Sequence, residues 1–148
     1  MGGRVVKTIA AIVVVLWAGS SGTLIAGMQS GSRLSGLLNP RIGAAVPQRY
    51  QAVLDAKHWA NPYLVIRPVG VLVIAKGPST GEQTVAVADL ERTLIELPVA
   101  AWPYGRVVAV QVGGLRGGER DDKLIADNAG ATVAILKRLE VTVEYWPN

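Results

Sequence analysis

Tyr63-Leu64-Val65-Ile66-Arg67-Pro68-Val69-Gly70-Val71-Leu72-Val73-Ile74-Ala75 is the stretch whose reading decides the fold. Two β-branched and aliphatic runs flank Arg67-Pro68-Val69-Gly70, and that arrangement predicts a β-hairpin. Downstream, residues 76–81 read as a loop. Val87 to Leu97 follows with Leu90, Leu94 and Leu97 on one helical face and Pro98 as the stop. Arg106 to Val112 reads as a strand and residues 113–118 as a glycine-rich loop. Lys123 to Leu139 is the longest helical pattern, with Ile125, Ala129, Val133, Leu136 and Leu139 inward. Asp121 and Asp122 stand at its start, where acidic side chains cap the helix and complement its dipole. Val141, Val143 and Tyr145 alternate with Thr142, Glu144 and Trp146 in a last strand. The order β-β-α-β-α-β predicts an α+β domain, a small mixed sheet with two helices on one face. The other face, or an edge, is left available.

Upstream of Asn61-Pro62 the pattern changes. Residues 29–60 carry Gly31, Gly36, Pro40, Gly43 and Pro47 and read as an extended connector. A short helix is expected from Gln48 to Trp59, where Tyr50, Val53, Leu54 and Lys57 have helical spacing. Residues 1–28 open with Arg4 and Lys7, and Ile9 to Met28 is apolar and uncharged. That is about the ~20 residues a helix uses to cross a bilayer. The expected organisation is therefore a transmembrane anchor over 1–28, a basic connector over 29–60 and an α+β domain over 61–148.

A cleaved signal peptide is the competing reading for 1–28, with the small run Gly19-Ser20-Ser21-Gly22 at the cut. Hydrophobicity resumes at Leu24-Ile25-Ala26, which favours a retained anchor. Its small residues repeat every four positions as Ala18, Gly22 and Ala26, and as Gly19, Thr23 and Gly27. Such rows let a neighbouring membrane helix approach closely. Arg4 and Lys7 argue for an N-terminus inside the cell and a domain outside the cytoplasm. The expected location is a bacterial inner membrane with the C-terminal domain periplasmic.

Composition narrows the chemistry. The chain has 148 residues, no cysteine and a net charge of +4. Disulfides and thiol-bound metals are excluded. Within 29–60, Arg33, Arg41, Arg49 and Lys57 face only Asp55, whereas residues 61–148 hold nine basic and ten acidic side chains. The basic balance thus belongs to the membrane-proximal part, which suits lipid headgroups near Arg33 and Arg41. The domain lacks the basic face that nucleic-acid binding uses.

From Tyr63 to Val143 the chain resembles the ExbD/TolR proteins of bacterial inner membranes. The residues that carry the resemblance are Tyr63–Ile74, Ala88-Asp89-Leu90-Glu91-Arg92-Thr93-Leu94, Val107–Val112 and the stretch from Val133 to Val143. The resemblance implies a single-pass protein with an extracytoplasmic domain and an integral membrane partner. Members of that family carry an aspartate in the membrane helix, on which proton-driven function depends. Thr8 to Met28 holds no ionisable residue, so the resemblance does not extend to a proton-relay role.

No catalytic constellation emerges. The loop at 113–118 fits neither GxxxxGK[ST] nor GxGxxG, and the acidic residues that follow it would repel phosphate. Glu119, Asp121, Asp122 and Asp127 do not have calcium-loop spacing, and His58 is the single histidine. No enzyme activity, cofactor or metal is expected. Three aromatic pairs beside turns are the candidate partner contacts: Trp59 and Tyr63, Trp102 and Tyr104, Tyr145 and Trp146. The expected function is a non-enzymatic subunit of a larger membrane complex, docking its domain on partner subunits or dimerising through a sheet edge. An accessory subunit of a photosynthetic or respiratory complex and a secreted binding domain are the alternatives.

Overall fold

The computed structural model describes residues 38–77, 81–113 and 118–146. The expected anchor over 1–28 lies outside them. Strands β1 (Tyr63–Arg67) and β2 (Gly70–Ala75) form the predicted hairpin, with Arg67 opposite Gly70 across a two-residue turn. Gly70 sits at φ +138°, and a Cβ there would lie 2.2 Å from the Val85 carbonyl oxygen. Only glycine fits that turn.

Beside β2 lies β3 (Gly81–Val85), followed by α1 (Val87–Glu96), β4 (Val107–Val112), α2 (Glu119–Arg138) and β5 (Thr142–Trp146). The sheet order is β3-β2-β1-β4-β5. β2 is antiparallel to β1 and β3, while β4 runs parallel to β1 and to β5. Among the described residues the architecture is thus a mixed α+β fold with a five-stranded sheet and two α-helices, in the order β-β-β-α-β-α-β. Among the described residues, β3 is the strand the sequence reading lacks. Its residues Gly81 to Thr84 are exposed, so an edge strand with no apolar periodicity left no signal.

Alternation divides the sheet into two faces. Leu64, Ile66, Val71, Val73, Val108 and Val110 point to the helices and meet Leu90 and Leu94 of α1 and Ile125, Ile135 and Leu136 of α2. Each such side chain contributes about 1.5–3 kcal/mol through burial. The inward row of α2 runs Ile125, Ala129, Thr132, Leu136 and Leu139, with Ile135 beside it. Val133, expected inward, is 36% exposed. A polar residue in the centre of the row displaced the apparent stripe by one position.

The opposite face holds Tyr63 beside Ala109 and Ile74, and Gln111 beside Trp146. Here the structure differs from the expected connector. Leu38 and Ile42 join the helix-side core, and Tyr50 and Trp59 join a second core on the opposite face. The described part of residues 29–60 is therefore built into the domain. The helix expected from Gln48 to Trp59 is a single 3-10 turn, Pro47–Arg49, followed by turns. Asp55 accepts the His58 backbone N–H at 2.9 Å, a local bond that competes with a helical ladder. Leu54, read as part of the helical stripe, is 87% exposed.

After α2 the chain turns through Glu140 at φ +55°. The Val141 N–H reaches the Leu136 carbonyl at 2.9 Å and the Glu140 N–H reaches Lys137 at 3.1 Å. This is a Schellman stop with a non-glycine residue in the left-handed position. The Glu140 carboxylate lies 3.6 Å from Arg106 and is 82% exposed, so that pair contributes little. Glu140→Gly is expected to raise unfolding stability by about 0.5–1 kcal/mol, read by urea denaturation. A loss of stability would mean that the Arg106 contact outweighs the backbone strain.

Candidate functional site

Five rings assemble on the sheet face away from the helices. Trp59 is their centre, with ring centroids 5.5 Å from Tyr50, 5.3 Å from Tyr104 and 5.7 Å from Trp146. Tyr63 extends the group, 6.0 Å from Trp146. The interplanar angles at Trp59 lie between 65° and 72°, the edge-to-face arrangement that ring quadrupoles favour. The Trp59 indole donates to the Pro62 carbonyl at 3.2 Å, and the Tyr63 hydroxyl donates to the Gln111 side-chain oxygen.

Backbone and side-chain bonds fix these rings from two segments. The loop at 102–106 lies along residues 42–49: Val46 N–H donates to Tyr104 O and Arg106 N–H to Gly43 O, each at 2.9 Å. Arg49 reaches the Pro103 carbonyl at 3.0 Å and Arg106 Nε the Ile42 carbonyl at 2.9 Å. Gly105 lies between them at φ +81°, and a Cβ there would meet Ala44 O at 2.1 Å.

Asn61 ties the two segments to β4. Its side chain is 1% exposed. Nδ2 donates to Gly105 O at 2.8 Å and to Val107 O at 2.7 Å, and Oδ1 accepts the Tyr104 N–H at 2.8 Å. Three of the four bonds a carboxamide can make are used, all to backbone. At the far end of the segment, Lys76 donates to the carbonyls of Ala56 and Lys57.

The candidate contacts read from sequence separate into three places. Trp59, Tyr63, Tyr104 and Trp146 come together. Trp102 is 4% exposed in the helix-side core, with its indole N–H unpartnered among the described residues. Tyr145 is 64% exposed and stands on the other face of β5 from Trp146. Trp59, at 1% exposure, and Trp102 present no surface to a partner, because their rings complete the protein's own cores. Ala18, Gly19, Gly22, Thr23, Ala26, Gly27 and Arg33 lie outside the described residues, as do residues 114–117 of the glycine-rich loop. Arg41 is exposed.

Sequence reading missed Tyr50, Asn61 and Glu144. Glu144 is half-buried on β5, in register with Ala109. Burial pushes the Tyr50 hydroxyl above its ordinary pKa, helped by the Glu144 charge and by the hydrogen bond Tyr50 donates to it. A cleft of about 420 Å³ opens here between Tyr50, Gln51, Trp59, Glu144 and Trp146.

Titratable groups elsewhere form pairs. His58 lies 2.8 Å from Asp55. Hydrogen bonds from the His58 side chain and backbone hold the Asp55 carboxyl below its usual range. Its contribution is present above the unfolded-state pKa and is lost as pH falls through the lowered one. Asp127 is held by Lys123 at 2.8 Å, and Arg138 of α2 reaches Glu91 of α1 at 2.6 Å. Among the described residues no group of three His, Asp or Glu could hold a metal ion. No protein family, curated protein or solved structure matches this chain.

Asn61→Ala is expected to destabilise the domain by roughly 2–4 kcal/mol, because a buried N–H and two carbonyls lose their partners. Asn61→Asp keeps an acceptor for Tyr104 but sets a charge against two carbonyl oxygens. Its stability, followed by denaturation at several pH values, is expected to recover as the new carboxyl protonates. Wild-type stability in either variant would remove the carboxamide from the account.

Proposed function

We propose that the protein is a non-enzymatic subunit of a larger membrane complex, anchored by its N-terminal segment and docking its α+β domain on integral membrane partners. The observation that carries this reading is the uncharged apolar run from Ile9 to Met28, preceded by Arg4 and Lys7. No helix among the described residues is long and apolar enough to cross a membrane; in this reading the anchor is that run. In this reading the membrane is a bacterial inner membrane and the domain is periplasmic.

Two features of the domain support docking. Among the described residues β3 and β5 are the edge strands of the sheet, and edge strands are ready templates for pairing with another chain. Tyr145 stands exposed on β5 beside its outer edge, a residue type favoured at protein interfaces. Leu38 is already buried in the domain, so only nine residues separate it from Met28.

The absence of an ionisable residue between Thr8 and Met28 favours an accessory or stabilising role over proton-driven work. The small-residue rows at Ala18, Gly22 and Ala26 and at Gly19, Thr23 and Gly27 supply the packing surface.

Intact-mass measurement of the chain extracted from native membranes in mild detergent tests the proposal. The expected result is a full-length chain that co-purifies with multi-span proteins in fixed proportion. Gly22→Ile is expected to abolish that association while the chain stays in the membrane fraction. A shortened, partner-free chain in the soluble fraction would overturn the reading in favour of a secreted domain.

A further inference from the structure

We propose that the cleft beside Glu144 is a binding seat for an alkylammonium group, the charged end of a lysine-like chain. The inference is independent of the docking reading and rests on the chemistry of the cleft walls.

Glu144 carries the argument. It is half-buried beside the aromatic cluster, where an ionised carboxylate loses solvation. Burial of this kind is ordinarily offset by a cation or by several donors. Among the described residues Glu144 has neither. None of the ion pairs there includes it, and its hydrogen-bond donor is the Tyr50 hydroxyl. One acceptor oxygen is engaged by Tyr50, and a carboxylate has capacity for further donors.

The surroundings fit a soft organic cation better than a metal or an anion. Trp146 is the partly exposed ring at the cleft, and Tyr50 and Trp59 are buried behind it. Ring faces attract ammonium groups, and the attraction grows when water is excluded. Gln51, also lining the cleft, brings a side-chain amide with a neutral acceptor. A hard divalent cation would call for several oxygen ligands, and one carboxylate does not supply them. The opening of about 420 Å³ accommodates an ammonium and the methylenes attached to it.

The test is an NMR titration of the full-length chain, in non-ionic detergent, with n-butylammonium chloride followed at the tryptophan indole N–H signals. The expected result is a saturable shift of the Trp146 indole with Kd on the order of 1–30 mM. The Trp102 indole, in the other core, is expected to stay still and reports that the fold is intact. Glu144→Gln preserves shape and removes the charge, and binding is expected to weaken roughly tenfold. Neutral n-butanol is expected to give no saturable shift. Titration with Nα-acetyl-lysine amide separates the sources. Tighter binding than n-butylammonium assigns the seat to a polypeptide lysine, and equal or weaker binding assigns it to a free amine. A linear response, an unchanged Kd in Glu144→Gln with Trp102 unmoved, or equal binding of butanol would overturn the proposal.

Discussion

The carboxamide of Asn61 is the constraint on which the second half of this structure depends. It is almost wholly buried; it donates to the Gly105 and Val107 carbonyls and accepts the Tyr104 N–H. Those bonds bring a segment remote in sequence against the start of β4. Once that junction exists, Gly105 allows the Ala44 carbonyl to approach, and Arg106 holds Ile42 and Gly43. Tyr104 and Trp59 then come within ring contact. Asn61 thus fixes the loop that carries Tyr104 into the aromatic cluster. Buried amides of this kind are costly when left half-bonded, which makes their geometry specific.

The two sides of the sheet are held by different physics. Toward the helices the core is aliphatic, closed by Leu90 and Leu94 of α1 and Leu136 of α2. Toward residues 45–63 it is built from rings. An aliphatic core is non-directional, whereas edge-to-face rings and a half-buried carboxylate are oriented and polar-tipped. The ring side thus holds the oriented, polar-tipped groups, and the helix side contributes stability. The acidic first turn of α2 and its basic last turn reinforce that stability through the helix dipole.

Much of the fold was legible. The hairpin, both helices, β4 and β5 follow from β-branched runs, leucine spacing, Pro98 and the final alternation. Strand β3 was not, because Glu82, Gln83 and Thr84 lie on an exposed edge with no periodicity to report. Nor was the role of residues 38–60. Glycines and prolines there suggested a connector, while Leu38, Ile42, Tyr50 and Trp59 are isolated apolar residues whose partners are distant in sequence. Such contacts leave no local pattern. The candidate site was half legible for the same reason. Aromatic pairs at turns pointed to Trp59, Tyr63, Tyr104 and Trp146, but Asn61 read only as punctuation before Pro62. Glu144 read only as the polar phase of a strand.

The central claim is that residues 38–62 are an integral part of the domain and not a tether to it. Native-state hydrogen exchange on the full chain tests this most directly. The amides of Val46, Tyr104 and Arg106, whose bonds join the two segments, are expected to exchange only through global unfolding. Their opening free energies would then equal those of Val108 and Val110 in the centre of the sheet. If those three amides exchange through a separate, lower-energy opening while β4 remains protected, the segment is a detachable arm and the account fails.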